Sequence, residues 1–108
     1  MSTSISLTVQ TVDHGSTALA LAGELDLDSA ARIEPDLFLA TAWAGREVVV
    51  DMAGVTFCDT SGVELLMRLQ RRCATEGCRL RLCRVPRQPG RVFRVLGVDR
   101  AIPCSFAG

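Results

Sequence analysis

The start of the chain alternates between apolar and polar residues, which is the two-residue period of a half-buried β-strand. This pattern covers residues 5–12, and a second alternating run ends near Gly23. Between the two runs lies Asp13–Ser16, a stretch of turn-forming residues that includes His14, the only histidine of the chain. The pattern therefore predicts an N-terminal β-hairpin with His14 in its turn.

The next segment has the spacing of an amphipathic helix. It begins at Asp26–Ser29, where short polar side chains offer an N-cap. Pro35 falls inside this helix and lacks a backbone donor, so we expect a kink or a restart at that point. The predicted apolar face consists of Ile33, Leu37, Ala40 and Ala44.

A second helix is predicted from about Thr60 to Glu76, and Gly77 is typical of the residue that follows the end of a helix. On its polar side, Glu64 and Arg68 have the i,i+4 spacing of an ion pair.

The strands predicted further along the chain follow from apolar runs. Val48–Val50 is continuous and β-branched, which favours a central strand that is covered on both faces. A loop is expected from Met52 onward. Another strand is predicted over residues 80–85, where Arg alternates with apolar side chains.

The C-terminal part is predicted to contain a loop over residues 86–90, a short helix that ends at Gly97, and an edge strand at Ala101–Ile102. The complete order is hairpin, helix, strand, helix, strand, helix. This order predicts an α/β fold with a mixed sheet of four to five strands packed with three or more helices. Residues 1–108 are expected to form one domain.

Composition and charge narrow the functional classes. Apolar residues make up 48% of the 108 residues, which is enough to build a core. Twelve basic and twelve acidic side chains cancel, so the chain lacks the net positive charge typical of nucleic-acid binding. All basic residues are Arg, which excludes a Schiff-base or P-loop lysine. Neither a signal peptide nor a membrane span is evident, so a cytoplasmic protein without membrane contact is expected.

Five cysteines are many for this length, and their odd number favours reduced thiols that pack as small apolar side chains. Cys73, Cys78 and Cys83 lack the paired spacing of zinc ligands, so no metal site is expected. The interval from Cys78 to Arg84 matches that of thiol phosphatases, which leaves a small thiol enzyme as one alternative. The residues between them have the pattern of a strand, which argues against a phosphate-binding loop.

The segment Val55–Gly62 places an acid, two hydroxyls and a glycine directly before the second helix. One interpretation is structural: Asp59 or Thr60 caps the helix and Gly62 permits close packing. The other is functional: Ser61 is phosphorylated at the positive end of the helix dipole. A phosphate would add about −1.5 to −2 charges to a neutral domain, which is enough to switch a protein interface.

Several stretches together resemble the STAS family, and within it the bacterial anti-sigma-factor antagonists. Gly23–Asp26 resembles the end of the family's second strand. Val48–Asp51 followed by Val55–Val63 resembles its phosphoacceptor segment, and residues 77–82 and 92–98 resemble its closing strand and helix. The resemblance covers nearly the whole chain and implies a single STAS domain.

The resemblance also implies a function. The unphosphorylated protein is expected to bind an anti-sigma factor that is also a serine kinase, and thereby to release a sigma factor. Phosphorylation at Ser61, with Thr60 as a secondary acceptor, would switch this off, and a PPM-type phosphatase would reverse it. The implied protein is a monomer in its free form, with no catalytic residues. No cofactor is expected, because the chain has no glycine motif of the kind that binds phosphates. The expected partner-binding residues are Glu24, Asp26, Asp59, Thr60, Ser61, Gly62 and Glu64.

An alternative remains open at this point. In this alternative, the chain is a phosphorylation-independent STAS interaction subunit of a stress-sensing or transport complex, and Ser61 serves only to cap the helix.

Overall fold

A computed structural model describes residues 4–13, 15–42 and 45–107, and it contains a five-stranded mixed sheet with the strands in chain order. The strands are β1 (Ser6–Asp13), β2 (Ser16–Leu25), β3 (Glu47–Cys58), β4 (Arg79–Val85) and β5 (Cys104–Phe106). The helices of the described ranges are α1 (Leu27–Thr41), α2 (Thr60–Thr75), α3 (Arg87–Leu96) and α4 (Val98–Ala101). The predicted α/β class, mixed sheet and hairpin are confirmed, whereas His14 and Ala44 lie outside the described residues.

The strand order explains why the helices cover one face of the sheet. β1 and β2 are antiparallel, and every later pair is parallel. Each parallel connection moves to the next position in the same direction, and right-handed crossovers then place the helices on a single face. In β2 the odd-numbered residues are buried and the even-numbered residues are half-buried. In the central strand, β3, the side chain of Val49 is likewise only half-buried. The prediction that this strand is covered on both faces is therefore wrong.

β3 is longer than predicted, because the strand continues through Met52 to Cys58 where a loop is expected from the sequence. Two register shifts relative to β2 interrupt the alternation of side chains. At each shift β3 holds one residue more than its neighbour, so the following side chains change sides. Met52 and Val55 are nevertheless fully buried.

α1 is continuous across Pro35, so the predicted restart is wrong. Pro35 cannot donate to the carbonyl of Ala31 one turn earlier. Both residues are exposed, and water can therefore replace the missing bond.

Arg68 connects α2 to α1 rather than forming the predicted pair with Glu64. Its Nε and Nη2 donate to the two carboxylate oxygens of Glu34 at 2.8 and 2.9 Å. This bidentate geometry is stronger than an i,i+4 contact between flexible side chains. The hydrogen bonds from Arg68 hold the pKa of Glu34 below its usual range.

The C-terminal part differs from the prediction in its boundaries. α3 begins inside the predicted loop over 86–90, with Pro86 as its N-cap and Pro89 in its first turn. The amides of the first turn of a helix have no carbonyl acceptor within that helix, so a proline in this turn removes no hydrogen bond. Ala101 ends α4 and Ile102 is buried directly after it, so the predicted edge strand at these residues is wrong; β5 begins two residues later.

The apolar core lies between the sheet and the helices. Its largest fully buried side chains include Phe93, Leu19, Leu37, Met52 and Leu66. In the parts of the chain that the structure describes, no helix is long and apolar enough to cross a membrane.

Candidate functional site

The second and third strands end side by side, and each leads directly into a helix. Leu25 and Cys58 lie opposite each other in the parallel register. The residues that follow them, Asp26 and Asp59, are the N-caps of α1 and α2. The Asp59 N–H donates to the Leu25 carbonyl at 3.3 Å. Both helices therefore start at the same level of one sheet edge, and residues 24–27 and 57–64 form what is named here the N-cap edge.

An aspartate caps each of the two helices. Asp26 Oδ1 accepts from the Ser29 N–H at 2.9 Å, and Ser29 Oγ accepts from the Asp26 N–H at the same distance, which is a capping box. The bond from the Ser29 amide lowers the pKa of Asp26. Asp59 Oδ1 accepts from the amides of Ser61 and Gly62 at 2.9 and 3.3 Å. Asp59 is thus the cap of α2, and its carboxylate lies at the positive end of the helix dipole.

Ser61 is the second residue of α2 and is partly exposed, while Thr60 before it is exposed. Within the described ranges the Ser61 hydroxyl makes no hydrogen bond; only its backbone amide is bound, to Asp59. Asp59 therefore caps the helix, and the hydroxyl of Ser61 is not used as its N-cap.

Gly62 is buried where α2 meets the ends of β2 and β3. A Cβ at this position would lie 2.6 Å from Cys58 Sγ and 2.8 Å from Leu25 Cγ. The start of α2 can therefore approach the strands this closely only with glycine. Gly62 contributes to the N-cap edge by placing Ser61 at the surface.

Charged and apolar side chains alternate on the N-cap edge. Glu64 is exposed, and Glu24 and the two capping aspartates are half-buried. Among these carboxylates lie two apolar side chains, Leu27 with 73% and Phe57 with 38% of its surface exposed. Phe57 lies opposite Glu24 in the register of β2 and β3. The edge therefore combines negative charge with accessible apolar area, a combination found at protein interfaces.

The sequence analysis misses the roles of Leu27, Phe57 and Gln88. Gln88 of α3 extends the hydrogen bonding of β3: its Oε1 accepts from the Cys58 N–H at 2.9 Å, and its Nε2 donates to the Cys58 carbonyl at 3.1 Å. This side chain takes the place of a further strand residue beside the N-cap edge. A polar residue in an expected loop carries no local signal of such a contact.

Cys58 is the cysteine of the N-cap edge, whereas Cys73 lies near the other end of α2, and both are buried. Burial raises the pKa of the Cys58 thiol and of the Cys73 thiol to about 12. Cys78 and Arg84 are separated by extended β4, so the backbone between them does not wrap a phosphate. Among the residues described by the structure, no group of three or more His, Cys, Asp or Glu side chains is placed to hold a metal ion.

The fold and the N-cap edge define a small α/β module with an acidic, partly apolar surface around the hydroxyls of Thr60 and Ser61, neither of which is hydrogen-bonded within the described ranges. A family model described as "Mlab, STAS domain" matches residues 8–103. The chain belongs to the STAS-domain family, in agreement with the resemblance noted from its sequence.

Solved structures with the same fold come from both regulators and transporters. The anti-sigma factor antagonist SpoIIAA in its unphosphorylated form is 21% identical, with a TM-score of 0.75 over 92% of this chain and 87% of that chain. An anti-sigma factor antagonist from Mycobacterium paratuberculosis is 24% identical, with a TM-score of 0.79 over 94% and 86%. A sulfate transporter family protein from Wolinella succinogenes is 19% identical, with a TM-score of 0.73 over 90% and 80%. No significant match was found among curated proteins.

Proposed function

We propose that this protein is an anti-sigma-factor antagonist whose N-cap edge binds an anti-sigma factor with serine kinase activity. Phosphorylation of Ser61 switches this binding off, and binding of the unphosphorylated form releases a sigma factor. One observation carries the proposal: Ser61 is partly exposed and its hydroxyl is uncommitted, because Asp59 caps α2. Among the proteins of similar fold, SpoIIAA has been solved in both its unphosphorylated and its phosphorylated form.

The charges of the N-cap edge suggest how a phosphate would act. Without it, Leu27 and Phe57 offer apolar contact area to a closely fitting partner. A phosphate on Ser61 places about −1.5 to −2 charges next to Asp59 and Glu64, and like-charge repulsion and desolvation then oppose docking. The Ser61 and Gly62 amides are already bound to Asp59, but a phosphate on Ser61 would still lie at the positive end of the α2 dipole, which favours negative charge and would help the domain to stay folded. Phosphorylation would thus change the surface and leave the core intact.

The proposal makes the chain a binding module and a kinase substrate, with no catalysis of its own. A PPM-type phosphatase would restore the active form, and the exchange would take place in the cytoplasm. Residues 1–108 would act together as one STAS domain.

A second candidate is a phosphorylation-independent STAS subunit of a stress-sensing or transport complex. The similarity in fold to a sulfate transporter family protein favours it. The same N-cap edge would then hold a partner permanently, with the Ser61 hydroxyl unmodified.

Phosphorylation by the cognate anti-sigma kinase tests the proposal. The purified protein is incubated with the kinase and ATP, and intact mass followed by peptide mapping should show one phosphate, on Ser61. Ser61→Ala should accept none, and the matched variant Thr60→Ala should be phosphorylated like the wild type. Phosphorylated protein should bind the kinase at least about tenfold more weakly, which corresponds to about 1.4 kcal/mol.

Other outcomes of these experiments would favour the second candidate or contradict the first. Phosphate on Ser61→Ala, or none on the wild type, contradicts the proposed switch. A stable partner complex that lacks any kinase-like protein favours the second candidate.

A further inference from the structure

The last strand, β5, lies at an edge of the sheet. It pairs with β4 on one side, and no strand of the described ranges lies on its other side. The Ala107 N–H donates to the Val85 carbonyl at 2.8 Å, which directs the backbone of Ala107, and of Ser105 two residues earlier, towards β4. Backbone groups alternate in direction along a strand, so the N–H and carbonyl groups of Cys104 and Phe106 point to the free side.

The free side of β5 can accept one more strand. Within the described ranges the outward N–H and carbonyl groups of Cys104 and Phe106 have no backbone partner. An edge with unpaired backbone groups is a template for an extended peptide. Because β5 has only three residues, main-chain hydrogen bonds alone would bind such a peptide weakly. Side chains beside the edge must therefore supply part of the affinity and the selectivity.

A cavity of about 280 Å³ lies next to this edge, between α3 and β5. Its lining includes Arg87, Gly90 and Arg94 of α3 and Phe106 of β5. A Cβ on Gly90 would lie 3.2 Å from the Phe106 ring, so the Phe106 side chain faces α3. In a strand added to β5, every second side chain would point to this same face of the sheet, beside Phe106 and towards the cavity.

The two arginines of the cavity carry uncompensated positive charge. The Arg94 guanidinium lies 4.0 Å from the centroid of the Phe106 ring. Stacking of this kind occupies the face of the guanidinium and leaves the N–H donors at its edge available. Arg87 lies two helical turns earlier on the same side of α3, and both side chains are exposed. Neither belongs to the ion pairs found in the described ranges, so an anionic group would relieve their mutual repulsion.

The surrounding sequence is also basic. Residues 86–107 contain four arginines and a single acidic residue, Asp99. Burial, together with the charge of Asp99, raises the pKa of the Cys104 thiol to about 11. Asp99 therefore lies near the first residue of β5, whereas Arg94 lies against Phe106, the last. Negative charge on a bound strand is favoured at the Phe106 end.

We propose that β5 accepts an extended acidic segment of a partner protein as a sixth strand. Main-chain hydrogen bonds to Cys104 and Phe106 fix the position of the segment. Carboxylates on its α3 side are bound by Arg87 and Arg94, which select an acidic sequence. This surface shares no residue with the N-cap edge, and it requires no modification of Ser61. The protein would thus have a second binding surface for a partner of different chemistry.

Amide NMR spectra of the isotope-labelled protein test this proposal. The probe is a short blocked peptide in which glutamate alternates with valine, added up to roughly 5 mM. Chemical shifts should change in β5 and α3, and hydrogen exchange of the Cys104 and Phe106 amides should slow down. The changes should weaken at roughly 0.5 M NaCl, where the Debye length falls to about 4 Å. Unchanged shifts in β5 over the whole titration overturn the proposal.

Two matched peptides separate the parts of the contact. Glutamine in place of glutamate should weaken binding at least about tenfold, because the carboxylates are lost. Methylation of the backbone nitrogens that face β5 keeps the charge but removes the main-chain donors, and it should abolish binding. Equal binding of the glutamine peptide contradicts selection by the arginines. Equal binding of the methylated peptide contradicts addition as a strand.

Matched protein variants locate the site. Arg87→Gln with Arg94→Gln should lose at least about tenfold in affinity for the glutamate peptide. Arg71→Gln with Arg79→Gln removes the same charge at exposed arginines outside α3, and it should bind like the wild type. Wild-type dispersion of the amide spectra would show that both variants are folded. An equal loss in both variants contradicts a site at β5.

The free protein provides a last test of what occupies the edge. Sedimentation equilibrium in the low-salt buffer should give the mass of a monomer at all concentrations. A mass that rises with concentration, together with shifts of the Cys104 and Phe106 amides in the absence of peptide, would show that a second copy covers β5. This result would overturn the proposal of an acidic partner.

Discussion

Replacing Gly62 with alanine sets two effects of opposite sign against each other. Alanine is the better helix former, which favours the variant by about 1 kcal/mol. Against this, the added Cβ would lie 2.6 Å from Cys58 Sγ, 2.8 Å from Leu25 Cγ and 2.9 Å from the Leu25 carbonyl oxygen. Both neighbours are fully buried and one contact is with backbone, so none of the three can be relieved by a side-chain rotation into solvent.

The packing conflict should outweigh the helix propensity. Overpacking a tight core costs about 1 to 3 kcal/mol, and three contacts below 3.0 Å place Gly62→Ala at the upper end of that range. Subtracting the gain in propensity leaves a loss of about 2 kcal/mol in the free energy of unfolding. For a domain of this size, this corresponds to a fall of roughly 8 °C in Tm.

Urea unfolding followed by circular dichroism measures the effect. Gly90→Ala is a matched control, because Gly90 is a buried glycine in α3 whose nearest contact would be the ring edge of Phe106 at 3.2 Å. This contact is looser and the ring is only partly buried, so the control should stay within about 1 kcal/mol of the wild type. In Gly62→Ala with Cys58→Ala the loss should be smaller than the sum of the single losses. A Gly62→Ala variant as stable as the wild type would refute the reasoning.

Two further predictions concern the contacts of β3. Gln88→Ala leaves the N–H and carbonyl of Cys58 without their partners, and it should lower the free energy of unfolding measured in urea by about 1 to 3 kcal/mol. An unfolding free energy equal to that of the wild type would show that these two hydrogen bonds do not stabilise the fold. Arg84→Gln removes the guanidinium whose hydrogen bonds lower the pKa of Asp51 from its ordinary 3.8. A carboxyl group whose pKa is lower in the folded state stabilises the folded protein at pH values above its ordinary pKa. The wild type should therefore be more stable than Arg84→Gln at pH 7. This difference should shrink as the pH falls below 3.8 and through the folded pKa, and a pH-independent difference would contradict it.

The sequence by itself determines the features that depend on neighbours along the chain. The hairpin follows from two alternating runs and a turn, and the bounds of α2 follow from a capping residue before it and Gly77 after it, which has a φ of +74°. The segment around Ser61 is recognisable for the same reason, since a cap, a hydroxyl and a close-packing glycine are local chemistry. These signals extend over a few residues and need no knowledge of the fold.

Tertiary structure decides the features that depend on distant residues. Gln88 is hydrogen-bonded to Cys58, which is 30 positions away in the sequence. Arg68 pairs with Glu34, which is 34 positions away, and not with Glu64 of its own helix. The exposure of Phe57 follows from register shifts between β2 and β3, which alternation along one strand cannot reveal.

The distribution of charge also depends partly on the sequence and partly on the tertiary structure. The sequence has an acidic first half and a basic second half, but only the strand order places the strands of these halves on opposite sides of the sheet. If the same elements were interleaved in the sheet, oppositely charged segments would lie next to each other and neutralise one another at close range. The sequence therefore sets the charges, and the topology decides which of them meet as ion pairs.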